Sequence, residues 1–347
     1  MSRRSIILAV LAVMPVAPQV ALGAESATSV YLLGSKGSMA GITPPPGTYV
    51  TDASYYYGGE ASGNAALSLT LRRTGANNNL NGLPLIVDAD IEVEGKAYYN
   101  IPTVTWVAPQ KIMGGSFGAS LMLPIGWKQI DGRIDARANV DLPDPLPDLT
   151  GGQQLSIHDA DTAFGDPLIS AFLGWNEGNW HWNVGVLANV PLGSWESDQL
   201  ANIGFNHWAF DVSAAMTWLD PKIGFEISAA AGFTFNTENP ATDYKSGTDF
   251  HVEFALMQHL SKQFAIGATG YHYQQITGDS GAGAVLGDFK GRVTGVGPAV
   301  NATFAVGQLP VMTSLKWIHE FESENRLEGD MGFLTITIPL GPPPVGP

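Results

Sequence analysis

The residues able to do chemistry in this chain are histidines and carboxylates placed at alternate positions of otherwise apolar segments. The chain has 7 histidines, 32 Asp and Glu residues and no cysteine. This composition excludes disulfides, zinc–thiolate sites and a thiol nucleophile. A histidine beside a carboxylate can serve acid–base or nucleophilic catalysis, or both can belong to a satisfied interior network. The polar set predicted to share one face is His181, Asn183, His207, Asp211, Glu226, His251, Glu253, Lys316 and Glu320.

The stretch from Trp208 to Trp218 shows which elements must position these groups. Every even position is apolar and every odd position is small or polar, which is the period of a strand with one apolar face. About eleven residues, tilted by about 45°, suffice to cross a bilayer as a strand. Similar alternation predicts strands over 180–190, 223–235, 250–256, 311–322 and 334–340, and weaker ones over 48–58, 91–107, 111–127, 167–177, 263–277 and 292–306.

These segments predict an all-β protein, a transmembrane antiparallel up-and-down β-barrel of about 12 strands, within a range of about 10 to 14. Six apolar positions per strand are more than the strands of a soluble β-sandwich usually offer. Charged residues make up only 14% of the chain, and the net charge is −15. Nucleic acid binding, which needs basic patches, is therefore not expected. A secreted lectin-like sandwich stays open as an alternative fold.

The first 24 residues have the order of a secretory signal peptide. Arg3 and Arg4 precede an apolar run over 6–13, and small residues arrive near Ala24. This order predicts export to the outer membrane of a Gram-negative bacterium. The remaining predicted parts are an N-terminal segment over 25–47, the barrel over 48–340 and a proline-rich tail over 341–347.

The segment before the first strand is a candidate hatch inside the barrel. It carries Tyr31 and a rigid run, Pro44-Pro45-Pro46, followed by Gly47. Its apolar residues are more numerous than a disordered tail usually has. A hatch and a disordered periplasmic tail are held as equal alternatives.

Polar stretches between the strands are predicted to be external loops, over 131–166, 193–206, 237–247 and 278–291. The first contains the proline-rich run 142–148, which does not suit a central strand. Two groups of acids could hold calcium, Asp159 and Asp161 beside His158 and the acids of Asp141–Asp148, but a solvated acidic loop fits their spacing better. Gly281 and Gly283 lack a following helix pattern, which favours a flexible loop over a dinucleotide site. No metal and no cofactor are expected.

Several motifs, in order along the chain, resemble a known outer-membrane family. They are Tyr31–Tyr49, Gly165-Asp166-Pro167-Leu168, Asn189-Val190-Pro191-Leu192-Gly193, Asn206-His207-Trp208-Ala209-Phe210, Asn236–Gly247 and Gly270–Gly281. The chain is similar to the family named for the meta-cleavage pathway of phenol degradation. The resemblance covers about Tyr31 to Leu340. One departure is the tail Gly341–Pro347, since barrel chains commonly end on an aromatic residue.

The resemblance implies a transporter of aromatic or other hydrophobic compounds. The expected function is passive diffusion through a partly plugged porin-like channel, and the chain is not expected to be an enzyme. Expected partners are outer-membrane lipid and lipopolysaccharide, the barrel assembly machinery and small hydrophobic solutes. The alternatives are an outer-membrane lipase or acyltransferase, for which no GxSxG motif is present, and a structural barrel with a filled lumen.

Overall fold

The structure, a computed structural model, describes residues 29–70, 84–140, 149–284, 287–307 and 309–340. The predicted signal peptide, residues 25–28, the proline-rich run 142–148 and the tail 341–347 lie outside the described residues. All regular elements in the described ranges are β-strands. Within those ranges, no helix has the length and apolarity needed to cross a membrane.

Fourteen strands follow one another along the chain. They are β1 (Gly47–Thr70), β2 (Pro84–Ile112), β3 (Gly115–Met122), β4 (Ile125–Val140), β5 (Leu149–Phe164), β6 (Leu168–Glu177), β7 (Trp180–Asn189), β8 (Ala209–Asp220), β9 (Phe225–Asn236), β10 (Asp249–His259), β11 (Phe264–Gln275), β12 (Arg292–Val306), β13 (Leu309–Glu324) and β14 (Glu328–Leu340).

Twelve of these strands close into a barrel, which confirms the predicted fold class and strand number. From β6 to β14 each strand pairs with its neighbour along the chain. β3 joins β2 to β6, and β1 pairs with both β2 and β14, which closes the ring. Closure leaves no unpaired edge in the barrel wall, as a bilayer requires of a sheet. The extra strands are β4, which pairs with β2, and β5, which pairs with β4.

The prediction of one external loop over 131–166 is wrong. Most of that range belongs to β4 and β5. Pro124 lies in the break between β3 and β4, and Pro167 lies in the break between β5 and β6. Proline has no backbone N–H to give to a ladder, so it suits these breaks. The alternation test missed β5 because its side chains are polar and mostly exposed, so it has no apolar face.

The two faces of the barrel strands are inverted relative to a soluble protein. On β8, Phe210, Val212 and Met216 are 45–51% exposed, whereas Asp211 and Thr217 are buried. β9 shows the same alternation, with Ile227 and Phe233 exposed and Glu226 buried. An apolar outer face and a polar inner face are the expected arrangement for a barrel surrounded by lipid.

Aromatic side chains gather at both ends of the outer face. At one end Trp175 and Trp182 stack with ring centroids 6.4 Å apart, and Trp180 pairs across the strands with Trp218. At the other end Trp208 stacks on Phe210. Two such belts mark the two membrane–water interfaces.

Connections differ in length between the two ends of the barrel. Short turns join β2 to β3, β6 to β7, β8 to β9, β10 to β11 and β12 to β13. The opposite end carries longer connections over 190–208, 237–248 and 276–291, besides the short one between β13 and β14. Short turns are typical of the periplasmic side, so the long loops define the external end.

The chain divides into two compact units. One holds parts of β1, β2, β4 and β5, within Glu60–Glu94 and Ile130–His158. The other spans Ala21–Gly59, Gly95–Gln129 and Asp159–Pro347. Its described residues include the barrel residues discussed below and the residues before β1.

Candidate functional site

The residues that precede β1 lie inside the barrel. Residues 29–46, here called the N-terminal segment, contact strands that are far apart around the ring. Ser38 donates a hydrogen bond to Glu226 of β9 (Oγ to Oε2, 3.0 Å) and accepts one from Asn301 of β12 (Nδ2 to Oγ, 2.8 Å). Only a group within the lumen can reach both strands. The segment therefore lies across the barrel interior.

One side of the lumen is lined by hydroxyls, amides and charged groups. These inward-facing residues of β7 to β10 are here called the polar wall. They bind the segment mainly through its backbone: Gly41 N donates to Thr217 Oγ1 (2.9 Å), and Asn183 Nδ2 donates to the Ala40 carbonyl (2.8 Å). The polar wall comprises Asn183, Asp211, Ser213, Thr217, Glu226, Ser228, His251 and Glu253.

Gly41 is the point where the segment comes closest to the polar wall. A Cβ at this position would lie 2.4 Å from the Thr217 nitrogen and 2.5 Å from the His181 carbonyl oxygen. Both contacts are to backbone atoms, which cannot move without distorting the sheet. Only glycine permits this approach.

Glu226 is the main acceptor for the segment. It is fully buried and accepts hydrogen bonds from Ser38 Oγ and from the Met39 amide (2.6 Å). Ser228 Oγ also donates to it, and His259 Nε2 lies 2.7 Å from its other oxygen. Glu226 thus joins the segment to a histidine at the turn end of β10, and hydrogen bonds to a charged acceptor are the stronger kind.

A second histidine–carboxylate pair lies deeper in the lumen. His251 Nε2 is 2.8 Å from Asp211 Oδ2, and both side chains are buried. Thr234 donates a hydrogen bond to the same Asp211 oxygen. The Tyr31 ring stacks on the His251 ring, with centroids 3.6 Å apart and planes 16° apart.

Two lysines accompany the segment. Lys316 of β13 is buried and donates to the backbone carbonyls of Gly34, Ser35 (3.0 Å) and Lys36 (3.0 Å). Lys36 of the segment donates to Ser213 Oγ at 3.1 Å. Burial lowers the pKa of Lys36, while the charges of Glu253 and Asp211 oppose that shift. The two ammonium groups offset the acidic residues of the polar wall.

The other side of the lumen is dominated by aromatic rings. These inward-facing residues of β1, β2, β11 and β14 are here called the aromatic wall. Tyr31 and Leu33 of the segment pack in the same buried cluster, together with Ile318 and Met331. The aromatic wall comprises Tyr55, Tyr57, Tyr99, Tyr271, Tyr273 and Phe333.

Glu320 and Arg326 provide the charges of the aromatic wall near the external end. Glu320 accepts hydrogen bonds from Tyr57 (2.8 Å), Tyr271 and the Gly329 amide (3.0 Å). Arg326, in the turn between β13 and β14, lies over the Tyr273 ring at 4.3 Å. Burial disfavours the charge of Arg326, but the nearby tyrosines and Glu320 raise its pKa overall.

Buried acids hold the external loops in place. Asp166 accepts hydrogen bonds from the Gly193 amide (2.7 Å), the Phe205 amide (2.8 Å) and Asn189 (2.9 Å). Asp279 accepts from the Gly247 amide (3.0 Å) and from Tyr244. These hydrogen bonds connect residues in the described parts of the external loops, 190–208, 237–248 and 276–284.

The residues of the predicted lumen set take different places. Asp211, Glu226, His251, Glu253, Lys316 and Glu320 are buried on inward faces, and Asn183 touches the segment. His181 is half-buried on β7 and contributes its backbone carbonyl near Gly41. His207 lies in the loop before β8, with Nδ1 2.9 Å from the Phe205 carbonyl. Whether any of them sets selectivity stays a prediction.

The predicted hatch residues also have defined places. Tyr31 is buried in the lumen. Pro44, Pro45 and Pro46 lead out of it, and Tyr49 donates a hydrogen bond to the Pro45 carbonyl at 2.8 Å. Gly47 begins β1. That the segment acts as a hatch stays a prediction.

The aromatic wall cannot be recognised from the alternation of apolar and polar residues. Tyr271 and Tyr273 are among the most completely buried side chains, yet an apolar–polar alternation assigns aromatic residues to the lipid face. The available signal was their spacing, because two tyrosines two residues apart share one face of a strand.

The described residues hold no group of three or more potential metal ligands. Asp159, one of the acids that could hold calcium, accepts hydrogen bonds from the amides of Leu200 (2.5 Å) and Ala201 (2.9 Å). His158 lies 2.6 Å from Asp131.

Comparison with known proteins identifies the family. A family model described as "Putative MetA-pathway of phenol degradation" matches residues 73–336. The chain belongs to this family. A comparison with curated proteins found no match.

One solved structure shares the fold of this family member, and two others are less similar. A COG4313 outer membrane channel from Pseudomonas putida F1 has 14% sequence identity and a TM-score of 0.60, covering 86% of this chain and 97% of that one. The CymD monoaromatic hydrocarbon channel has 8% identity and a TM-score of 0.35, covering 86% and 89%. A FadL homologue from Pseudomonas aeruginosa has 10% identity and a TM-score of 0.34, covering 85% and 90%.

Proposed function

We propose that this protein is an outer-membrane channel through which small hydrophobic or aromatic compounds diffuse passively. The observation that carries the proposal is the lumen itself, in which an aromatic wall faces a polar wall and the N-terminal segment fills the space between them. The rings of the aromatic wall provide apolar surface and stacking partners for an aromatic solute. Membership of a family named for phenol degradation, and the shared fold with a channel, support the same function.

The N-terminal segment is the part that must move for a solute to pass. It is held by hydrogen bonds rather than by strand pairing, and it enters the lumen from the periplasmic end, where β1 begins. Its hydrogen bonds are to side chains that water can replace once the segment leaves. In this proposal the segment is a hatch, and the lumen is closed when the hatch is seated.

A reversible covalent lock tests this function. The chain contains no cysteine, so Ser38→Cys with Asn301→Cys introduces the only two thiols, at side chains that now touch. The oxidised protein should show little flux of phenol or toluene into proteoliposomes, and a reductant should restore it. Planar-bilayer conductance, recorded with and without these solutes, measures the same transition.

The matched control places the disulfide in the barrel wall. Thr105 and Ser120 touch across β2 and β3, with their oxygens 2.8 Å apart. A Thr105→Cys/Ser120→Cys disulfide should leave flux the same before and after reduction. Absence of solute flux in every form of the protein would contradict the channel. It would leave the enzyme or the filled structural barrel as the function.

A further inference from the structure

Tyr31 occupies a place in the lumen that has the form of a binding site for a small aromatic molecule. Its side chain, taken alone, is a 4-methylphenol, the molecule p-cresol. The ring is 5% exposed, and it stacks face to face on His251 at 3.6 Å. The ring therefore shows how a phenol would fit between the two walls.

The flat surface beneath the Tyr31 ring is held rigidly. Asp211 fixes the imidazole of His251 through Nε2, and Thr234 in turn donates a hydrogen bond to Asp211. Gly232 pairs across the strands with His251. A Cβ on Gly232 would lie 2.7 Å from Nε2, so glycine leaves the space in which the imidazole lies flat. Stacking platforms of this kind bind any ring of suitable size.

The polar end of the Tyr31 side chain faces a carboxylate. The hydroxyl lies beside Glu253, which is 1% exposed. The geometry between the Tyr31 hydroxyl and Glu253 falls short of a hydrogen bond. Within the described residues, the Tyr31 hydroxyl and both Glu253 oxygens also lack any other hydrogen-bond partner. Burial, followed by the charge of Glu253, raises the pKa of Tyr31 well above its ordinary value. This end of the site therefore offers acceptor oxygens to a hydroxyl donor, and the charges of Lys36 and Lys316 lie near the same carboxyl group.

We propose that the Tyr31 side chain is a tethered substitute for the solute, and that its place between His251 and Glu253 is a binding site for neutral phenols on the transport path. This inference rests on the proposed channel function, because it specifies the class of solute that the channel carries. Solute and Tyr31 exclude each other from the site. A phenol that binds there stabilises the state in which Tyr31 has left, and so favours the unseated hatch by mass action.

The test removes the Tyr31 side chain and adds the free phenol in its place. In full-length Tyr31→Ala, purified in detergent, p-cresol should bind at least about tenfold more tightly than toluene, because a site with a buried acceptor discriminates against a ligand lacking the donor. Benzoate should bind more weakly than p-cresol, since its carboxylate brings no hydrogen-bond donor to Glu253. Calorimetric titration in one detergent, with wild-type protein as the reference for micelle partition, measures all three ligands.

Leu33→Ala provides the matched control cavity. Leu33 belongs to the same buried cluster and is 6% exposed, and the other members of that cluster are aromatic and aliphatic side chains. This variant should take up toluene and p-cresol with equal affinity, as apolar cavities do. Should Tyr31→Ala fail to fold, Tyr31→Val keeps a larger side chain and should give the same ranking of ligands.

Equal affinities for p-cresol and toluene in the Tyr31 variants would overturn the site, as would a preference for p-cresol in Leu33→Ala. Flux of phenols through the wild-type protein separates this failure from failure of the channel. If the wild-type protein carries phenols but Tyr31→Ala binds p-cresol and toluene equally, the channel function stands and the phenol site is rejected. If Tyr31→Ala prefers p-cresol to toluene but the wild-type protein carries no phenol, the site stands and the channel function is rejected.

Discussion

The polar wall and the aromatic wall hold the same segment in different ways. The polar wall binds mostly backbone: the amides of Met39 and Gly41 and the carbonyl of Ala40 all contact it. The aromatic wall packs against side chains, those of Tyr31 and Leu33. Hydrogen bonds to backbone groups are independent of side-chain identity, whereas packing depends on shape.

This difference separates two properties of a channel. Contacts with the polar wall should determine how firmly the segment is seated, and hence the flux of every solute. The aromatic wall, together with the site between His251 and Glu253 that Tyr31 occupies, should determine which solute passes once the segment has moved. Changes to each wall can therefore be compared by two measurements, hydrogen exchange of residues 29–46 for seating and relative solute flux for selectivity.

The largest effect on seating is expected from Gly41→Val. Its Cβ would lie within 2.7 Å of three backbone atoms of β7 and β8, so the segment cannot occupy its place. The amides of residues 29–46 should exchange as in an unfolded chain, and flux should rise for all solutes alike. Gly332→Val is the control, since a Cβ there has only one neighbour, at 3.9 Å. Full amide protection in Gly41→Val would contradict the seated arrangement.

Lys316→Met should have the next largest effect. The change keeps the length of the side chain but leaves the carbonyls of Gly34, Ser35 and Lys36 without their donor. Removing one partner from a buried charged network costs about 3–5 kcal/mol, so amide exchange in the segment should accelerate at least about a hundredfold. Lys262→Met changes an exposed lysine in the turn after β10 and should leave exchange unaltered.

Glu226→Gln should weaken seating to a smaller extent. An amide keeps the shape of the side chain but replaces a charged acceptor that receives Ser38 and the Met39 amide. Hydrogen bonds to charged groups contribute about 1.5–3 kcal/mol each, and part of that is retained by the amide oxygen. Exchange at Met39 should increase more than exchange at Tyr31. The exposed Glu322, changed to Gln, serves as the comparison.

The barrel could be predicted from sequence because lipid imposes a regular pattern. From β6 to β14 each strand has one lipid-facing side, and the alternation of apolar residues located these strands to within a few residues. β5 escaped the prediction because its polar, mostly exposed residues have no such period. The described residues of β4 are mainly buried or half-buried, but apolar and polar types do not alternate regularly along them. The breaks at Pro124 and Pro167, which separate β4 and β5 from β3 and β6, are visible only once the pairing is known.

The site was less accessible to sequence reasoning. Alternation places Asp211, His251 and Glu253 on inward faces, but it does not say which histidine meets which acid. That pairing depends on register, which sets His251 opposite Gly232 and Asp211 opposite Thr234. The course of the N-terminal segment depends on contacts with four or more strands, and no local pattern encodes it.

The smallest effect is expected from a change in the aromatic wall, and it should alter solute selectivity rather than the seating of the segment. Tyr57→Phe removes one of the hydroxyls that donate to Glu320, at a cost of about 1–2 kcal/mol in overall stability. Because the Tyr57 hydroxyl donates to Glu320 of the barrel wall and not to the segment, exchange of residues 29–46 should be unchanged. The ratio of phenol to toluene flux should shift, since a polar group of the path has been lost.

Tyr56→Phe, on the exposed outer face of the same strand, removes a hydroxyl without changing either measurement. If Tyr57→Phe instead accelerates exchange of the segment, the two walls do not divide seating from selectivity, and the segment is held by the lumen as a whole.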